Sequence, residues 1–338
     1  MTKIIVDCLG GDHSPSAPVE GAVAALKENS DLVLILTGDE TVLRAELQKA
    51  GGEESDRLQI VHAPDVIDPG EKPTDAIRQK KESSLMKAIE MLRADETISG
   101  LVSTGSTGAI VAAGTLRIGR LKNVIRPAFC PILPTMNGGI VGVCDSGANV
   151  DVDAARLQQF AIMGSRYLQT VYGIKEPRVA LLNIGTEEEK GDALRKEAYP
   201  LLAATPGINF VGNMESRDLL SGKYDLIVCD GFAGNVLIKS TEGACLELLK
   251  KLKTDIASRL INKIGALFLY KMFMQEKDFM NYQNYGGSVL LGTKKVIVKG
   301  HGSSKAKAVA KCIEQAYKMA AGGYGAELEE ALAALERQ

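Results

Sequence analysis

The sequence has no tryptophan, and aromatic residues make up only 5% of its 338 residues. It also lacks an excess of either charge, because 40 Lys and Arg residues face 42 Asp and Glu residues. A protein that binds nucleic acid along a broad face needs a surplus of basic residues. The composition therefore argues against a nucleic-acid partner.

Cysteine is sparse and scattered. The six cysteines form no C-x-x-C pair, and none has a histidine beside it. This pattern indicates reduced, mostly buried thiols rather than a disulfide framework or a zinc site. We expect no metal and no cofactor.

Long apolar runs are missing as well. None approaches the ~20 residues that span a bilayer, and Met1 leads directly into a strand-like stretch without the apolar core of a signal peptide. We expect a cytoplasmic protein, with peripheral binding to the inner face of the cell membrane as an open alternative.

Short apolar runs alternate with segments of helical character. Several runs are almost continuous Val, Ile and Leu, as in strands buried on both faces of a parallel sheet. The alternation predicts an α/β fold, a doubly wound α/β/α sandwich. The strand-like runs are residues 4–6, 32–36, 58–61, 100–103, 139–144, 179–184, 209–211, 226–229 and 295–298. The helix-like segments are residues 18–29, 75–94, 154–172, 193–204 and 304–321.

Six of the predicted strands end in a small, polar loop that contains glycine. Ligands of open α/β sheets bind outside the carboxyl ends of the strands, so these loops are predicted to line one cleft. The predicted cleft residues are Asp7, Gly10, Gly11, Asp12, Asp145, Asn149, Asn183, Thr186, Lys190, Asp230 and Gly231.

Two of these loops have the chemistry of an anion site. The loop 103–109 combines glycines, which let N–H groups approach a ligand, with hydroxyls and a following helix. It lacks the Walker pattern, and a plain turn with a helix cap would use the same residues. The loop 301–305 adds a lysine that can act as a point charge. The predicted phosphate-binding residues are Ser103, Thr104, Gly105, Ser106, Thr107, Ser303 and Lys305.

Two of the three histidines, His13 and His301, lie in glycine loops. We predict them as catalytic residues, with Asn235 of the loop 231–235 as a donor to an oxyanion. There is no G-x-S-x-G elbow and no cysteine–histidine signature. Direct attack by a bound nucleophile is therefore simpler than an acyl-enzyme.

Aspartates at the strand ends allow two interpretations. They could bind a divalent metal, or they could cap helices and brace the glycine loops. We favour capping, and we predict Asp151 as the N-cap of a helix that starts at Asp153. The aspartates concerned are Asp7, Asp12, Asp145, Asp151, Asp153 and Asp230.

These loops resemble those of the bacterial phosphate acyltransferase family, the acyl-carrier-protein:phosphate transacylases of phospholipid synthesis. The resemblance departs at Cys8, Leu9 and Ser106, where the family usually has Ala, Met and Asn. The matching stretches run in order along the chain, at residues 6–13, 101–109, 145–151, 182–191, 228–235, 285–287, 290–292 and 301–304.

The resemblance implies a fold similar to phosphotransacetylases and isopropylmalate-type dehydrogenases, a homodimer, and transfer of a fatty acyl group from acyl carrier protein to inorganic phosphate. The product would be consumed by a membrane glycerol-phosphate acyltransferase. Two related functions stay open, a short-chain phosphotransacetylase that uses coenzyme A and a non-catalytic regulator that binds acyl phosphate or lipid. A nicotinamide-dependent dehydrogenase is disfavoured because the chain lacks a G-x-G-x-x-G followed by an acidic strand end.

The segment 246–285 is predicted as an inserted helical hairpin between the two parts of the α/β/α unit, 1–245 and 286–338. It is both basic and apolar, which suits a dimer interface, a membrane surface, or a groove for the acyl chain and its carrier protein. The residues predicted to contact membrane or acyl chain are Ile264, Leu267, Phe268 and Met272.

Overall fold

The computed structural model describes residues 1–279 and 284–335. Its strands are β1 (Thr2–Asp7), β2 (Leu32–Gly38), β3 (Leu58–His62), β4 (Ile98–Ser103), β5 (Ala128–Cys130), β6 (Ile132–Pro134), β7 (Ile140–Cys144), β8 (Arg178–Asn183), β9 (Asn209–Glu215), β10 (Leu226–Val228), β11 (Ser288–Leu291) and β12 (Val296–Lys299). Its helices are α1 (Ser16–Glu28), α2 (Glu40–Lys49), α3 (Pro73–Gln79), α4 (Ser84–Ala94), α5 (Thr107–Ala113), α6 (Ala154–Tyr172), α7 (Ala193–Ala204), α8 (Gly231–Ser258), α9 (Leu260–Phe268), α10 (Tyr270–Phe279), α11 (Ala306–Ala321) and α12 (Tyr324–Leu335).

The first sheet has the strand order β3-β2-β1-β4-β12-β11-β5. The five strands from β3 to β12 are parallel, and β11 is antiparallel to both of its neighbours. Asp7 is in register with Ser103, and Ser103 is in register with Lys299. Three parallel strands therefore end at the same level, and the loops that follow them leave the sheet side by side.

The second sheet has the order β6-β7-β10-β8-β9, with β6 antiparallel and the remaining pairs parallel. The predicted α/β fold is confirmed, although its strands divide between two sheets and include antiparallel edges. The strands β5 and β6 have three residues each, on either side of Pro131. Runs this short are below the length at which apolar patterning identifies a strand.

The central strands are buried on both faces. Ile4 and Val6 belong to the hydrophobic cluster that includes Val309 of α11, whereas Ile5 belongs to a second cluster with Ile89 of α4. Successive side chains of a strand point to opposite faces of the sheet. The apolar strand pattern in the sequence is therefore explained by helices on both sides.

Helix boundaries differ from the prediction at one place. The segment 75–94 is two helices, α3 and α4, because Ser83 ends the intervening turn as the N-cap of α4. Its hydroxyl accepts a hydrogen bond from the N–H of Met86 at 3.4 Å. The first N–H groups of a helix have no carbonyl partner within it, and the Ser83 side chain supplies one for Met86 at the start of α4.

The helical segment begins earlier than residue 246, because α8 is one helix of 28 residues from Gly231 to Ser258. It continues into α9 and α10, and the predicted segment 246–285 also includes residues 280–283, outside the described residues. Many large apolar side chains are exposed on these helices, among them Ile264, Leu267, Phe268 and Met272. No helix in the described part of the chain has the length and hydrophobicity to cross a membrane.

Candidate active site

A buried hydrogen bond joins the ends of β1 and β4. The hydroxyl of Ser103 donates to Oδ2 of Asp7 at 2.6 Å and accepts from the N–H of Gly105 at 3.1 Å. Burial raises the pKa of the Asp7 carboxyl, against the hydrogen bond from Ser103 that lowers it. The Ser103 side chain was predicted to bind phosphate. Its hydroxyl instead bonds to Asp7 and to the backbone of Gly105, and so fixes the start of the loop 103–109.

The loops after β1, β4 and β12 contact one another through their backbones. The N–H of Asp12 donates to the carbonyl of Gly302 at 2.8 Å, and the N–H of Gly300 donates to the carbonyl of Ser103 at 2.8 Å. A β-carbon on Gly10 would lie 3.0 Å from the Cα of Gly105. Only glycine permits this approach, and the structure brings these three predicted loops together.

Several hydroxyls of these loops are free. Those of Thr104 and Ser106 are largely buried and form no hydrogen bond with the described residues. Ser106 is the N-cap residue of α5, yet its side chain makes no cap bond. Thr107, also in this loop, is exposed. These groups are donors that a bound anion could use.

The loop after β12 presents a second set of donors. The Nδ1 atom of His301 lies 2.7 Å from Oγ of Ser303. Lys305 is the N-cap residue of α11 and is exposed, as are His301 and His13. Ser304 and Lys299 were not singled out by the sequence analysis, although both belong to this loop or to the strand that leads into it. The available signals were a second serine in the loop and a lysine at the end of an apolar strand.

A second group of loops follows β7, β8 and β10. The Asp145 carboxylate, fully buried, lies at its centre and accepts hydrogen bonds from the N–H groups of Phe129, Ser146, Ala148 and Asn149 and from the Asn149 amide, at 2.6–3.2 Å. Burial raises the pKa of the Asp145 carboxyl, against these hydrogen bonds that lower it. Asp145 therefore braces the loop rather than facing solvent.

The loop after β10 packs directly on the loop after β7. The N–H of Gly231 donates to the carbonyl of Asn149 at 2.7 Å. The Asn235 amide nitrogen lies 3.1 Å from where a β-carbon on Gly147 would be. Within residues 1–279 and 284–335, the Asn235 side-chain amide forms no hydrogen bond. A side chain on Gly147 would crowd this free amide.

Asp230 caps α8 and forms a buried ion pair. Its carboxylate accepts from the N–H of Ala233 at 2.8 Å and pairs with the guanidinium of Arg195, whose side chain is 13% exposed. Arg195 also pairs with the exposed Asp192 at 2.8 Å. The sequence analysis missed Arg195, since it lies on α7, far from Asp230 in the chain.

The capping interpretation needs one correction. The prediction of Asp151 as the N-cap of α6 is wrong, because the cap is Asp153, which accepts from the N–H of Arg156 at 2.9 Å. The helix starts at Ala154, and a cap must directly precede the first helical residue.

The loop after β8 is braced by its own asparagine. The Asn183 amide donates to the carbonyl of Lys190 at 3.0 Å and accepts from the N–H of Ile184 at 2.8 Å. Thr186 and Lys190 are exposed. Asn183 therefore shapes the loop, whereas the other two predicted residues face solvent together with Ile184.

The two loop groups are joined through β5. Asp145 accepts from the N–H of Phe129, and Asn149 donates to the carbonyl of Pro127 at 2.8 Å. Ala148 packs against the same hydrophobic cluster as Ala109 of α5. In the part of the chain that the structure describes, no group of three or more His, Cys, Asp or Glu is arranged to hold a metal ion.

The family described as "Fatty acid synthesis protein" matches residues 2–326. The chain belongs to this family. A phosphate acyltransferase of Clostridium acetobutylicum is 46% identical over 314 residues, which cover 93% of each chain. One of Brevibacillus brevis is 44% identical over 314 residues, covering 93% of this chain and 92% of the relative. The family member described here is therefore an enzyme of the acyltransferase class.

Solved structures share the fold of this family member. A phosphotransacetylase from Streptococcus pyogenes has a TM-score of 0.61 at 18% identity and covers 95% of this chain and 94% of its own. A branched-chain phosphotransacylase from Enterococcus faecalis has a TM-score of 0.59 at 16% identity, with coverage of 95% and 99%. The predicted similarity to phosphotransacetylases is confirmed at the level of fold.

Proposed function

We propose that the protein transfers a fatty acyl group from the thioester of acyl carrier protein to inorganic phosphate, forming acyl phosphate for phospholipid synthesis. The observation that carries the proposal is the contact of the three loops after β1, β4 and β12, with hydroxyls that have no partner in the described residues. The names of the relatives, phosphate acyltransferases, support the same acceptor.

Phosphate is held by the loop 103–108 in this mechanism. The N–H groups at the start of α5 and the hydroxyls of Thr104 and Ser106 donate to its oxygens, and Ser303 and Lys305 approach from the loop after β12. Several hydrogen bonds to one anion in a partly buried site are stronger than the same bonds in water. Phosphate is thereby positioned for attack.

The chemical step is a direct displacement. A phosphate oxygen attacks the thioester carbonyl, the carbon–sulfur bond breaks, and the carrier thiolate leaves. The free amide of Asn235 donates to the oxyanion that forms on the carbonyl oxygen. His13 or His301 delivers a proton to the thiolate, which is a good leaving group even without one. Positioning two reactants in this way lowers the barrier by about 7–11 kcal/mol when the geometry is favourable.

A fatty acyl donor is supported by apolar side chains around the second loop group. In the loop after β8, Ile184 is 81% exposed, and in the loop after β7, Val150 is 62% exposed. At the start of α8, Phe232 is 64% exposed. Exposed apolar residues that rim a polar site are typical of binding surfaces for apolar ligands. The acyl chain would lie along this rim, next to Asn235.

The helices α8 to α10 are proposed as the surface for larger partners. Their exposed apolar residues and nearby lysines suit a homodimer interface, the carrier protein or the membrane surface, where a glycerol-phosphate acyltransferase would consume the product. We propose that the protein is cytoplasmic and binds the inner membrane face peripherally. The α/β unit, 1–245 with 286–338, would then carry the chemistry and the segment 246–285 the partner contacts.

The test is direct synthesis. Purified protein is incubated with phosphate and with palmitoyl carrier protein, palmitoyl coenzyme A or acetyl coenzyme A, and acyl phosphate is trapped with hydroxylamine. We expect product from the carrier thioester, with Thr104→Val, Ser106→Ala and Lys305→Ala raising the apparent KM for phosphate. Thr97→Val, at the opposite end of β4, is the matched control. Product from acetyl coenzyme A alone would replace the proposal by a short-chain phosphotransacetylase, and no turnover would leave a binding protein.

A further inference from the structure

Lys299 is the last residue of β12, directly beside the loops that contact one another. It follows three apolar residues and lies in register with Ser103, whose hydroxyl binds Asp7. The next residue, Gly300, donates its N–H to the carbonyl of Ser103. A lysine therefore ends the strand that borders the proposed phosphate loop.

Lys299 has no direct counter-ion in the part of the chain that the structure describes. Among the residues that the structure describes, the Lys299 ammonium forms no ion pair and no hydrogen bond. Burial lowers the pKa of this ammonium, and the neighbouring Cys312 and Asp12 raise it. Burial also raises the pKa of the Cys312 thiol to about 12, so the thiol is neutral at pH 7. Asp12 lies beyond ion-pair distance and is itself exposed.

A buried hydroxyl without a partner lies beside the same strand end. Ser304 is 3% exposed, and its Oγ forms no hydrogen bond in the described chain. Both Oγ of Ser304 and Sγ of Cys312 lie 3.4 Å from the position of a β-carbon on Gly300. Cys312 is thus a neighbour of both the unpaired ammonium and the unpaired hydroxyl. The helix α11 starts two residues after Ser304 and directs its N-terminal N–H groups to this side.

We propose that Lys299 and Ser304 form the inner wall of the phosphate subsite, where the ammonium and the hydroxyl bind oxygens of the attacking phosphate. A half-buried cation and a buried hydroxyl that both lack partners lower the stability of the unliganded fold. A dianionic phosphate would provide a partner for both groups. Its attraction to the ammonium would offset its repulsion from the nearby Asp7 and Asp12 carboxylates. This inference rests on the proposed function, which it deepens by naming the residues that balance the phosphate charge.

The experiment compares the two lysines that flank β12. Lys299→Met and Lys299→Arg are measured beside Lys295→Met, which removes hydrogen bonds to the carbonyls of Glu96 and Ile98 at the amino end of the strand. Each variant is assayed for the apparent KM of phosphate and of the acyl donor. Its melting temperature is measured with and without inorganic phosphate, with sodium chloride at equal ionic strength as the salt control.

The expected result is specific to phosphate. Lys299→Met should raise the phosphate KM by about 10- to 100-fold, the range for one lost hydrogen bond to a charged group, while the acyl-donor KM changes little. The rise in melting temperature on adding phosphate should disappear. Without phosphate, Lys299→Met should melt no lower than wild type, whereas Lys295→Met should melt lower and keep its phosphate response. Lys299→Arg should recover part of the phosphate affinity.

Three results would overturn the inference. They are an unchanged phosphate KM in Lys299→Met, an unchanged stabilisation by phosphate, and a loss of stability together with equal losses for both substrates. If Lys299→Met does not fold, Ser304→Ala decides by the same two measurements. If wild type forms no acyl phosphate but loses its phosphate stabilisation through Lys299→Met, the proposed function fails and the anion site stands.

Discussion

The Ser103 hydroxyl donates a 2.6 Å hydrogen bond to the Asp7 carboxylate, linking two adjacent parallel strands at the point where both end. The same oxygen accepts from the N–H of Gly105. One side chain thus connects a buried carboxylate to the backbone of the proposed phosphate loop.

Ser103→Ala should destabilise the fold. The substitution leaves a buried carboxylate oxygen without its donor, which costs about 1–3 kcal/mol of unfolding free energy. Urea denaturation measures the difference. Thr41→Val, which replaces an exposed threonine of α2 whose hydroxyl forms no hydrogen bond with the described residues, should change the unfolding free energy by less than about 0.5 kcal/mol. Equal effects of the two substitutions would show that the Ser103–Asp7 hydrogen bond contributes no more to the unfolding free energy than an exposed hydroxyl does.

The stability contribution of Asp7 should depend on pH. Burial raises the pKa of its carboxyl above the ordinary value of 3.8, so the folded state holds the proton more tightly than the unfolded state. Stability from this group is complete below the ordinary pKa and is lost as pH rises through the folded-state pKa.

The unfolding free energy of wild type minus that of Asp7→Asn should therefore fall as pH rises above the ordinary pKa of 3.8. Urea denaturation at a series of pH values measures it. The asparagine keeps an oxygen that accepts from Ser103, so the comparison isolates the charge. A difference that grows with pH would contradict the raised pKa.

Arg195→Met should be strongly destabilising. It leaves the Asp230 carboxylate buried without its counter-ion, a loss of about 3–5 kcal/mol of unfolding free energy. Thermal or urea unfolding measures the loss, and the double variant with Asp230→Asn should recover part of it. Asp192→Asn removes the exposed partner of the same guanidinium, and we expect less than about 1 kcal/mol there.

Asn235→Ala should slow the reaction without weakening the fold. Removing one donor to an oxyanion typically lowers kcat by about 100- to 1,000-fold. Steady-state kinetics with both substrates varied separates this from a binding effect, since the KM for phosphate should stay near wild type. Asn209→Ala, an exposed asparagine of the second sheet, is the control. A variant of Asn235 with normal kcat would remove the amide from the mechanism.

The double variant Leu267→Glu, Phe268→Glu tests the surface of α9. Both side chains are more than two-thirds exposed, at 74% and 84%. If this surface binds membrane, the variant should no longer float with anionic liposomes but should keep its oligomeric state by light scattering. Loss of assembly would assign the surface to a homodimer. Val42→Glu, an exposed apolar residue on α2, should change neither property.

The sequence predicted the strand-end loops well because their residues act locally. The strings that follow Asp7, Ser103 and His301 contain the glycines that close backbone approach requires, and those loops do contact one another. The six loops divide into three on each of two sheets, and a single cleft common to all six stays a prediction. Sheet membership depends on pairing between distant strands, which short apolar runs do not encode.

Residues whose importance comes from long-range neighbours were missed for the same reason. Arg195 is one charge in the first turn of an ordinary helix until the fold places it against Asp230. Lys299 is distinguished because its ammonium has no ion-pair or hydrogen-bond partner among residues 1–279 and 284–335, which only the fold reveals. In contrast, the error at Asp151 was local, a shift of two residues in the position of a helix N-cap, where sequence signals are least exact.

The 28 residues of α8 make a rod about 42 Å long. Its first turn is anchored beside the second loop group by Asp230, while its far half exposes most of its surface. Because the rod is long, a tilt of about 10° at the anchored end would displace the other end by about 7 Å. In any such tilt the tip formed with α9 would move by several ångströms, whereas Asn235, near the anchored end, would move far less.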